Sequence, residues 1–239
     1  MEKWYSRTEL LLGNEKTILL QNAHVMVVGI GGVGGMAAEM LCRAGIGEMT
    51  IIDADTVSVT NLNRQIISLN DNVGKTKAEC WAERLKKINP ALKLNVFAAY
   101  MNEENMLNFF EGKKIDFVAD AIDTIAPKIA LIEHCIKNNI PIISSMGSGA
   151  KTDITKICLT DIAKTYNCRL AKNVRQRLAK DGFRHLPVVF SSELPDKNAI
   201  ISVENEKNKK STTGTISYMP AAFGCFMSAY IIKRLSSDD

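Results

Sequence analysis

Residues His24 to Asp55 read HVMVVGIGGVGGMAAEMLCRAGIGEMTIIDAD. An apolar run ends in a cluster of glycines, a helical pattern follows to about Arg43, and a second apolar run ends at Asp53. A strand, a glycine turn, a helix and a second strand that ends in an acid are the parts of a nucleotide site. The stretch therefore predicts a Rossmann-like βαβ unit that binds a nucleotide.

The glycines of this turn have distinct predicted uses. Gly29 and Gly31 allow a tight turn, whereas Gly32 and Gly34 remove Cβ atoms that would keep a phosphate from the backbone N–H groups at the start of the helix. Asp53 is placed where a carboxylate accepts hydrogen bonds from ribose hydroxyls. The alternative is that the glycines only allow close packing of helix on strand. The stretch alone does not identify the nucleotide.

Composition limits the class of protein. The chain has 239 residues, of which 46% are hydrophobic and 23% charged, which suits one large α/β domain. Its formal net charge of +4 is compatible with a polyanionic partner. The six cysteines include no C-x-x-C pair, so we expect no zinc. With no signal-peptide core and no apolar run suited to a membrane span, we expect a cytoplasmic protein without membrane attachment.

The order of predicted elements indicates the fold class. Strands and helices alternate, which predicts an α/β fold with a doubly wound, mostly parallel Rossmann-like sheet and a C-terminal extension of strands and helices. We expect a single domain over residues 1–239, with the nucleotide-binding part in 1–150 and a crossover, a basic helix and the substrate side in 151–239. Gly31, Asp53, Asp123 and Gly147 follow predicted strands, so they are expected to meet in one crevice.

Local patterns give further expectations at the edges of this core. Helices are predicted over 4–20, 162–180 and 220–235, and a strand over 154–159. Residues 204–210 read as a polar loop. The segment from Lys164 to Arg184 is basic, which fits either a solvated helix face or contact with nucleic acid. Cys168 is interpreted as a bystander thiol, because no activating histidine is near it in the sequence.

The residues after Asp53 favour ATP over a nicotinamide cofactor. A dehydrogenase would use the glycines and Asp53 but would not need Asn61, Asn63, Arg64 and Lys77 beside the phosphates. Two cations and two amides suit a triphosphate and a charge-rich transition state. Asp123 suits Mg²⁺, which takes one or two carboxylates together with phosphate oxygens.

These motifs resemble those of the ThiF/MoeB/E1 superfamily of adenylating enzymes. They are GIGGVGG at 29–35, IIDADTVSVTNLNRQ at 51–65, VGKTKAE at 73–79, INP at 88–90 and DAID at 120–123. The resemblance implies that Asp53 binds ribose, that Asn61, Arg64 and Lys77 hold the phosphates, and that Asp123 holds Mg²⁺. It further implies a homodimer in which Arg7 reaches into the partner subunit's site.

Within that superfamily the chain looks like the tRNA threonylcarbamoyladenosine dehydratase branch. The segments that carry this likeness are 7–13, 60–66, 121–135, 159–165 and 188–195. The branch implies a tRNA substrate whose threonylcarbamoyl carboxylate is adenylated and cyclised with loss of water, and it is sometimes linked to sulfur-transfer partner proteins. One alternative is an adenylyltransferase of the MoeB/ThiF type that activates the C-terminus of a ubiquitin-like sulfur carrier, although the zinc cysteines usual there are missing. The other is a nucleotide-binding scaffold without catalytic activity.

Overall fold

The computed structural model describes residues 3–202 and 211–237. Its strands are β1 (His24–Val28), β2 (Glu48–Ile52), β3 (Lys93–Phe97), β4 (Phe117–Asp120), β5 (Ile142–Ser145), β6 (Ile157–Asp161), β7 (Pro187–Ser191), β8 (Ile200–Ser202) and β9 (Ser211–Thr213). Its α-helices are α1 (Ser6–Leu12), α2 (Asn14–Asn22), α3 (Gly32–Ala44), α4 (Lys77–Ile88), α5 (Met106–Phe110), α6 (Ile125–Lys137), α7 (Arg169–Lys180) and α8 (Tyr218–Leu235).

Seven strands form one sheet in the order β3-β2-β1-β4-β5-β7-β6. All neighbouring pairs are parallel except β6 and β7, which are antiparallel. The prediction of a mostly parallel, doubly wound sheet is therefore confirmed. Because the strand order reverses direction between β1 and β4, the crevice beyond their carboxyl ends is the expected ligand site of such a sheet.

The sheet is covered on both faces. Val25 and Val27 of β1 belong to an apolar cluster with α3 and α8, whereas Met26 and Val28 belong to a second cluster with α6 and α7. All five residues of β1 are buried, as expected for a central parallel strand. In residues 3–202 and 211–237, no helix is long and apolar enough to cross a membrane.

Three predictions of local structure were wrong. The helix predicted over 4–20 is two helices, because Gly13 has a φ of 88° and divides α1 from α2. The helix predicted over 162–180 begins only at Arg169, after a short 3₁₀ turn at Ile162–Lys164 and a left-handed Asn167. The strand predicted over 154–159 lies at 157–161, because the Asp153 side chain caps a 3₁₀ turn at 154–156. The predicted polar loop at 204–210 lies outside the described residues.

The first helix of the nucleotide unit, α3, is held closely by its neighbours. A Cβ atom at Gly35 would overlap the Trp81 ring of α4. At Gly224 of α8, a Cβ atom would lie 2.8 Å from the Met36 Cβ and 3.0 Å from the Ala37 nitrogen. α4 and α8 therefore approach α3 more closely than a side chain at Gly35 or Gly224 would allow. This close packing fixes α3, the helix that follows the glycine turn.

Candidate active site

The glycine turn joins β1 to α3 at the carboxyl edge of the sheet. Gly29 has a φ of 80°, and its N–H donates to the Ile52 carbonyl at 2.9 Å. A Cβ atom at Gly34 would overlap the carbonyl oxygen of Gly29, and one at Gly32 would lie 2.8 Å from the Pro220 Cβ. Close packing therefore requires glycine at positions 32 and 34 whether or not a phosphate binds. A Cβ atom at Gly31 would approach only the amide of Gln65, at 3.5 Å.

Asp53 lies directly beside this turn. One carboxylate oxygen accepts the Ile30 N–H and the other accepts the Asp55 N–H, both at 2.8 Å. The carbonyl of Ile30 in turn accepts a hydrogen bond from the buried Trp81 indole at 2.9 Å. Burial raises the pKa of Asp53, while Lys77 and the two N–H donors act against that rise. The acid is thus fixed at the end of β2, as its proposed contact with ribose needs.

Lys77 is the first residue of α4 and is buried, although it is a lysine at the positive end of a helix. Its Nζ lies 2.7 Å from the Asp55 carboxylate. Thr76 caps the helix by accepting the Glu79 N–H at 3.2 Å. Asp55 therefore holds the Lys77 ammonium group and links it to the Asp53 loop, which is a function for Asp55 that sequence reasoning missed.

The Asn61–Arg64 segment forms tight turns above the glycines. The Asn61 side chain accepts the Ser58 N–H at 3.1 Å. Arg64 donates from one guanidinium nitrogen to the Thr60 carbonyl at 2.7 Å and to the Asn63 side chain at 2.9 Å. The backbone carbonyl of Arg64 would lie 3.1 Å from a Cβ atom at Gly32, so this segment adjoins the start of α3.

Two buried side-chain oxygens lie just after this segment in the chain, the Gln65 Oε1 and the Ser68 Oγ. Neither has a hydrogen-bond partner among the described residues. Gln65 adjoins Gly31, the residue that precedes α3. An amide oxygen buried without a partner is costly, so the Gln65 oxygen is open to a hydrogen bond from a bound group or a water molecule.

Asp123 is exposed and follows β4 on the loop that ends at Thr124. Gly29 adjoins the same loop, because a Cβ atom there would lie 2.9 Å from the Ala121 carbonyl oxygen. An exposed carboxylate at this edge is of the kind that Mg²⁺ takes as one ligand together with phosphate oxygens and water.

A buried network that sequence reasoning missed lies under this loop. The Lys128 Nζ lies 2.8 Å from the Asp120 carboxylate and donates to the Ile122 carbonyl at 2.9 Å. Asp120 also accepts the Ser144 hydroxyl at 2.6 Å and the Ile122 N–H at 3.0 Å. The feature of the sequence that could have revealed this network is a lysine within the apolar pattern of α6. The network ties β4, β5 and α6 together directly before Asp123.

Gly29, Gly31, Gly32 and Gly34 form the turn itself, and Asp53 bonds to it through the Ile30 N–H. Lys77 is linked to Asp53 through Asp55, and the Asn61 side chain bonds to Ser58. The Arg64 backbone lies against Gly32, and the loop that leads to Asp123 lies against Gly29. Arg7 instead lies exposed on α1, the first helix of the chain. Cys168 is buried at the start of α7, where its sulfur accepts the Ala171 N–H at 3.5 Å.

Comparison with known proteins identifies the family. The model of the ThiF family matches residues 5–239. The tRNA threonylcarbamoyladenosine dehydratase of Bacillus subtilis is 37% identical over 98% of this chain and 95% of its own length. The Escherichia coli dehydratase TcdA, solved in complex with ATP, is 38% identical with a TM-score of 0.88 over 97% of this chain and 93% of that chain.

A relative with a different activity is less similar. The molybdopterin-synthase adenylyltransferase of Salmonella typhimurium is 31% identical over 69% of this chain and 66% of its own length. The chain is therefore similar to the dehydratases over almost its whole length, whereas its similarity to the adenylyltransferase covers only part of it. The family model covers every strand of the sheet whose carboxyl edge carries the glycine turn and Asp53, and the chain belongs to the ThiF family.

Proposed function

We propose that this chain is an ATP-dependent tRNA threonylcarbamoyladenosine dehydratase. The observation that carries the proposal is the whole-length likeness to proteins of that name, one of them solved with ATP. The proposed division of tasks is supported by chemistry, because Arg64 and Lys77 are cations that can donate to a triphosphate, whereas the Asp53 carboxylate can accept hydrogen bonds from a ribose. We place the reaction in the cytoplasm, where tRNA is found. The sulfur-transfer partners implied by the resemblance stay a prediction.

The chemistry has to turn a carboxylate into a good electrophile. A carboxylate cannot expel oxide, so its oxygen attacks the α-phosphorus of ATP and pyrophosphate leaves. A nucleophilic nitrogen or oxygen of the same threonylcarbamoyl group then attacks the acyl carbon, the bond to AMP breaks, the nucleophile releases its proton to water and a ring closes. The net change in the nucleoside is the loss of water. Because the attacking carboxylate is already ionised, the first step needs no strong general base.

Each site residue has a proposed task in these steps. Asp53 accepts the ribose hydroxyls, and Asn61 holds a phosphate by hydrogen bonding. Arg64 and Lys77 stabilise the negative charge that builds on the phosphates as pyrophosphate departs. Asp123 holds Mg²⁺, which neutralises phosphate charge when bound. For Lys77 to do this, its ammonium group exchanges the Asp55 carboxylate for a phosphate.

The proposal is tested by incubating the protein with ATP, Mg²⁺ and tRNA that carries threonylcarbamoyladenosine. Mass spectrometry of the tRNA nucleosides should show loss of one water, with AMP and pyrophosphate formed. A parallel incubation uses a carrier protein that ends in Gly-Gly. Formation of its acyl adenylate, with unchanged tRNA nucleosides, would favour the sulfur-carrier alternative. No reaction with either would favour a binding scaffold.

We further propose that the protein is a homodimer. Leu10 and Leu11 of α1 are 88% and 83% exposed, and Ile18 and Leu19 of α2 are also exposed. Adjacent apolar side chains of this kind mark an interaction surface. With a second copy of the chain packed against α1, the exposed Arg7 has a function, which is to contact the phosphates of the nucleotide bound to the partner subunit.

Mixing two inactive variants tests this arrangement. In the proposed dimer each site takes Lys77 from one subunit and Arg7 from the other. A mixed dimer of Arg7→Ala and Lys77→Ala therefore has one site with both residues intact and one site with neither. Co-refolded variants should recover about a quarter of the wild-type activity, since half of the dimers are mixed and each has one working site. Recovery of no activity, or a monomer by light scattering, would contradict the shared site.

The tRNA surface is proposed to include the basic face of α7. Lys172 and Arg177 are exposed there, whereas Arg175 donates to the Thr165 hydroxyl and carbonyl at 2.6 and 2.9 Å and so helps to hold the preceding turn. Replacing Lys172 and Arg177 with Ala should therefore reduce the salt dependence of tRNA binding by up to about 2 units of slope. An unchanged slope would make this face an ordinary solvated surface.

A further inference from the structure

Tyr166 is an exposed aromatic side chain on a rigid connection between β6 and α7. Its residue surface is 57% exposed, and one edge of its ring packs on Phe190 with the centroids 5.7 Å apart. The neighbours on both sides are anchored. Thr165 is buried and donates to the Ile162 carbonyl at 2.7 Å, and Asn167 donates to the Ser192 carbonyl at 3.0 Å. The ring is thus presented to solvent by a backbone that is already ordered.

The connection runs from the amino edge of the sheet, where antiparallel β6 ends beside Pro187, to the carboxyl edge that carries the nucleotide crevice. Gly147 follows the carboxyl end of β5, and a Cβ atom there would lie 3.5 Å from the Cys168 sulfur. Phe190 is near the carboxyl end of β7, which pairs with β5 in parallel. Because β5 also pairs with β4, the strand that leads to Asp123, Tyr166 flanks the crevice on the side opposite β3.

The chain segment that carries the ring is basic. Lys164 precedes it by two residues, and Arg169 and Lys172 follow it on α7, all three exposed. No acidic residue occurs between 162 and 180. An exposed aromatic ring framed by cations is the combination by which proteins hold single-stranded RNA, with the ring stacking on a base and the cations meeting the backbone.

We infer that Tyr166 is a stacking platform for an unpaired tRNA base next to the modified adenosine. This inference rests on the proposed function, since it assigns a residue to the recognition of that substrate. The stacked base fixes the position of the anticodon loop, so that the threonylcarbamoyl carboxylate on the neighbouring nucleoside points into the crevice. The ring contributes an apolar face, which holds any base and is insensitive to salt.

The test compares four substitutions of one side chain. Tyr166→Phe and Tyr166→Trp retain an aromatic face, Tyr166→Leu retains apolar bulk against Phe190, and Tyr166→Ala removes both. Affinity for tRNA that carries threonylcarbamoyladenosine is measured by fluorescence anisotropy at several salt concentrations. The Ala and Leu variants should bind about 10- to 100-fold more weakly, and the Phe variant within about twofold of wild type.

The slope of log affinity against log salt concentration distinguishes base stacking from contacts between cations and phosphates. The Ala and Leu variants should keep the wild-type slope, because no phosphate contact is lost, whereas Lys172→Ala should flatten it. ATP affinity should be the same in all the Tyr166 variants, which also confirms that they are folded. Wild-type protein that binds no tRNA would overturn the proposed function. Wild-type protein that binds and converts tRNA, with Tyr166→Ala or Tyr166→Leu equal to it, would overturn this inference alone.

Discussion

Two lysine–aspartate pairs at the carboxyl edge of the sheet have nearly the same length and very different surroundings. Lys77 lies 2.7 Å from Asp55, and Lys128 lies 2.8 Å from Asp120. The exposed fractions of the side chains are 5% and 68% in the first pair and 0% and 0% in the second. Only the first pair has a carboxylate that water can solvate.

This difference separates a pair that can open from a pair that cannot. When Lys77 leaves Asp55 for a phosphate, the carboxylate regains water at little cost. If Lys128 left Asp120, a charge would remain inside the protein without a partner, which costs several kcal/mol. The same two residue types therefore serve ligand binding in one place and fixed geometry in the other.

The largest effect should come from breaking the buried pair. Lys128→Met leaves Asp120 buried and uncompensated, so the free energy of unfolding should fall by about 3–5 kcal/mol. Chemical denaturation monitored by circular dichroism measures the change. The control is Lys137→Met in the same helix, where an exposed pair with Glu133 is lost and the change should stay below about 1 kcal/mol. Equal losses in both variants would contradict the distinction.

Breaking the Lys77–Asp55 pair, which can open, should affect the reaction rather than the stability of the fold. Lys77→Ala should lower turnover by about 10²-fold or more, on the order of 3 kcal/mol, because a cation at the phosphates is lost. Its unfolding free energy should change by less than about 1 kcal/mol, since Asp55 stays solvated. Lys75→Ala, an exposed lysine just before the helix, serves as the control. Turnover near that of wild type would remove Lys77 from the site.

Removing both charges of the buried pair sharpens the comparison further. Lys128→Met combined with Asp120→Asn leaves no buried charge, and the amide oxygen of the new side chain can still accept the Ile122 N–H. The double variant should regain about 1–3 kcal/mol of the stability that Lys128→Met loses. A double-mutant cycle by denaturant titration gives this coupling energy. Additive losses would mean that the two side chains do not act as a pair.

The smallest effect is expected at the exposed acid. Asp55→Asn should change the free energy of unfolding by less than about 1 kcal/mol, because the side chain at 55 is mostly solvated and the new amide oxygen can still accept a hydrogen bond from the buried Lys77 ammonium group. Added salt should reduce the difference between this variant and wild type. Thermal melts at low and high ionic strength make the measurement. A loss comparable to that of Lys128→Met would show that the Lys77 pair is also a structural one.

The same comparison shows how far sequence reasoning reached. Lys77 was assigned to the phosphates from the cations and amides that follow Asp53 and from the motif at 73–79, both of which are visible in short segments of the sequence. The pairing of Lys128 was missed because Asp120, and the Ser144 hydroxyl that Asp120 also accepts, come from two strands outside α6, and no local pattern reports those contacts. The alternation of strands and helices was enough to predict the sheet. The breaks at Gly13 and Asn167 were not, because each depends on one left-handed residue.

The contact between Gly32 and Pro220 has a consequence for how the protein is made. The glycine turn is synthesised early, yet α8 and Thr215, whose carbonyl accepts the Asn63 amide at 2.9 Å, come from the last part of the chain. A nascent chain leaves the ribosome N-terminus first. The emerging βαβ unit therefore lacks the wall that holds its turn, and the nucleotide crevice is completed only after α8 has been synthesised. A premature stop before α8 should yield a chain that cannot retain ATP, even though every residue predicted to bind ATP is present.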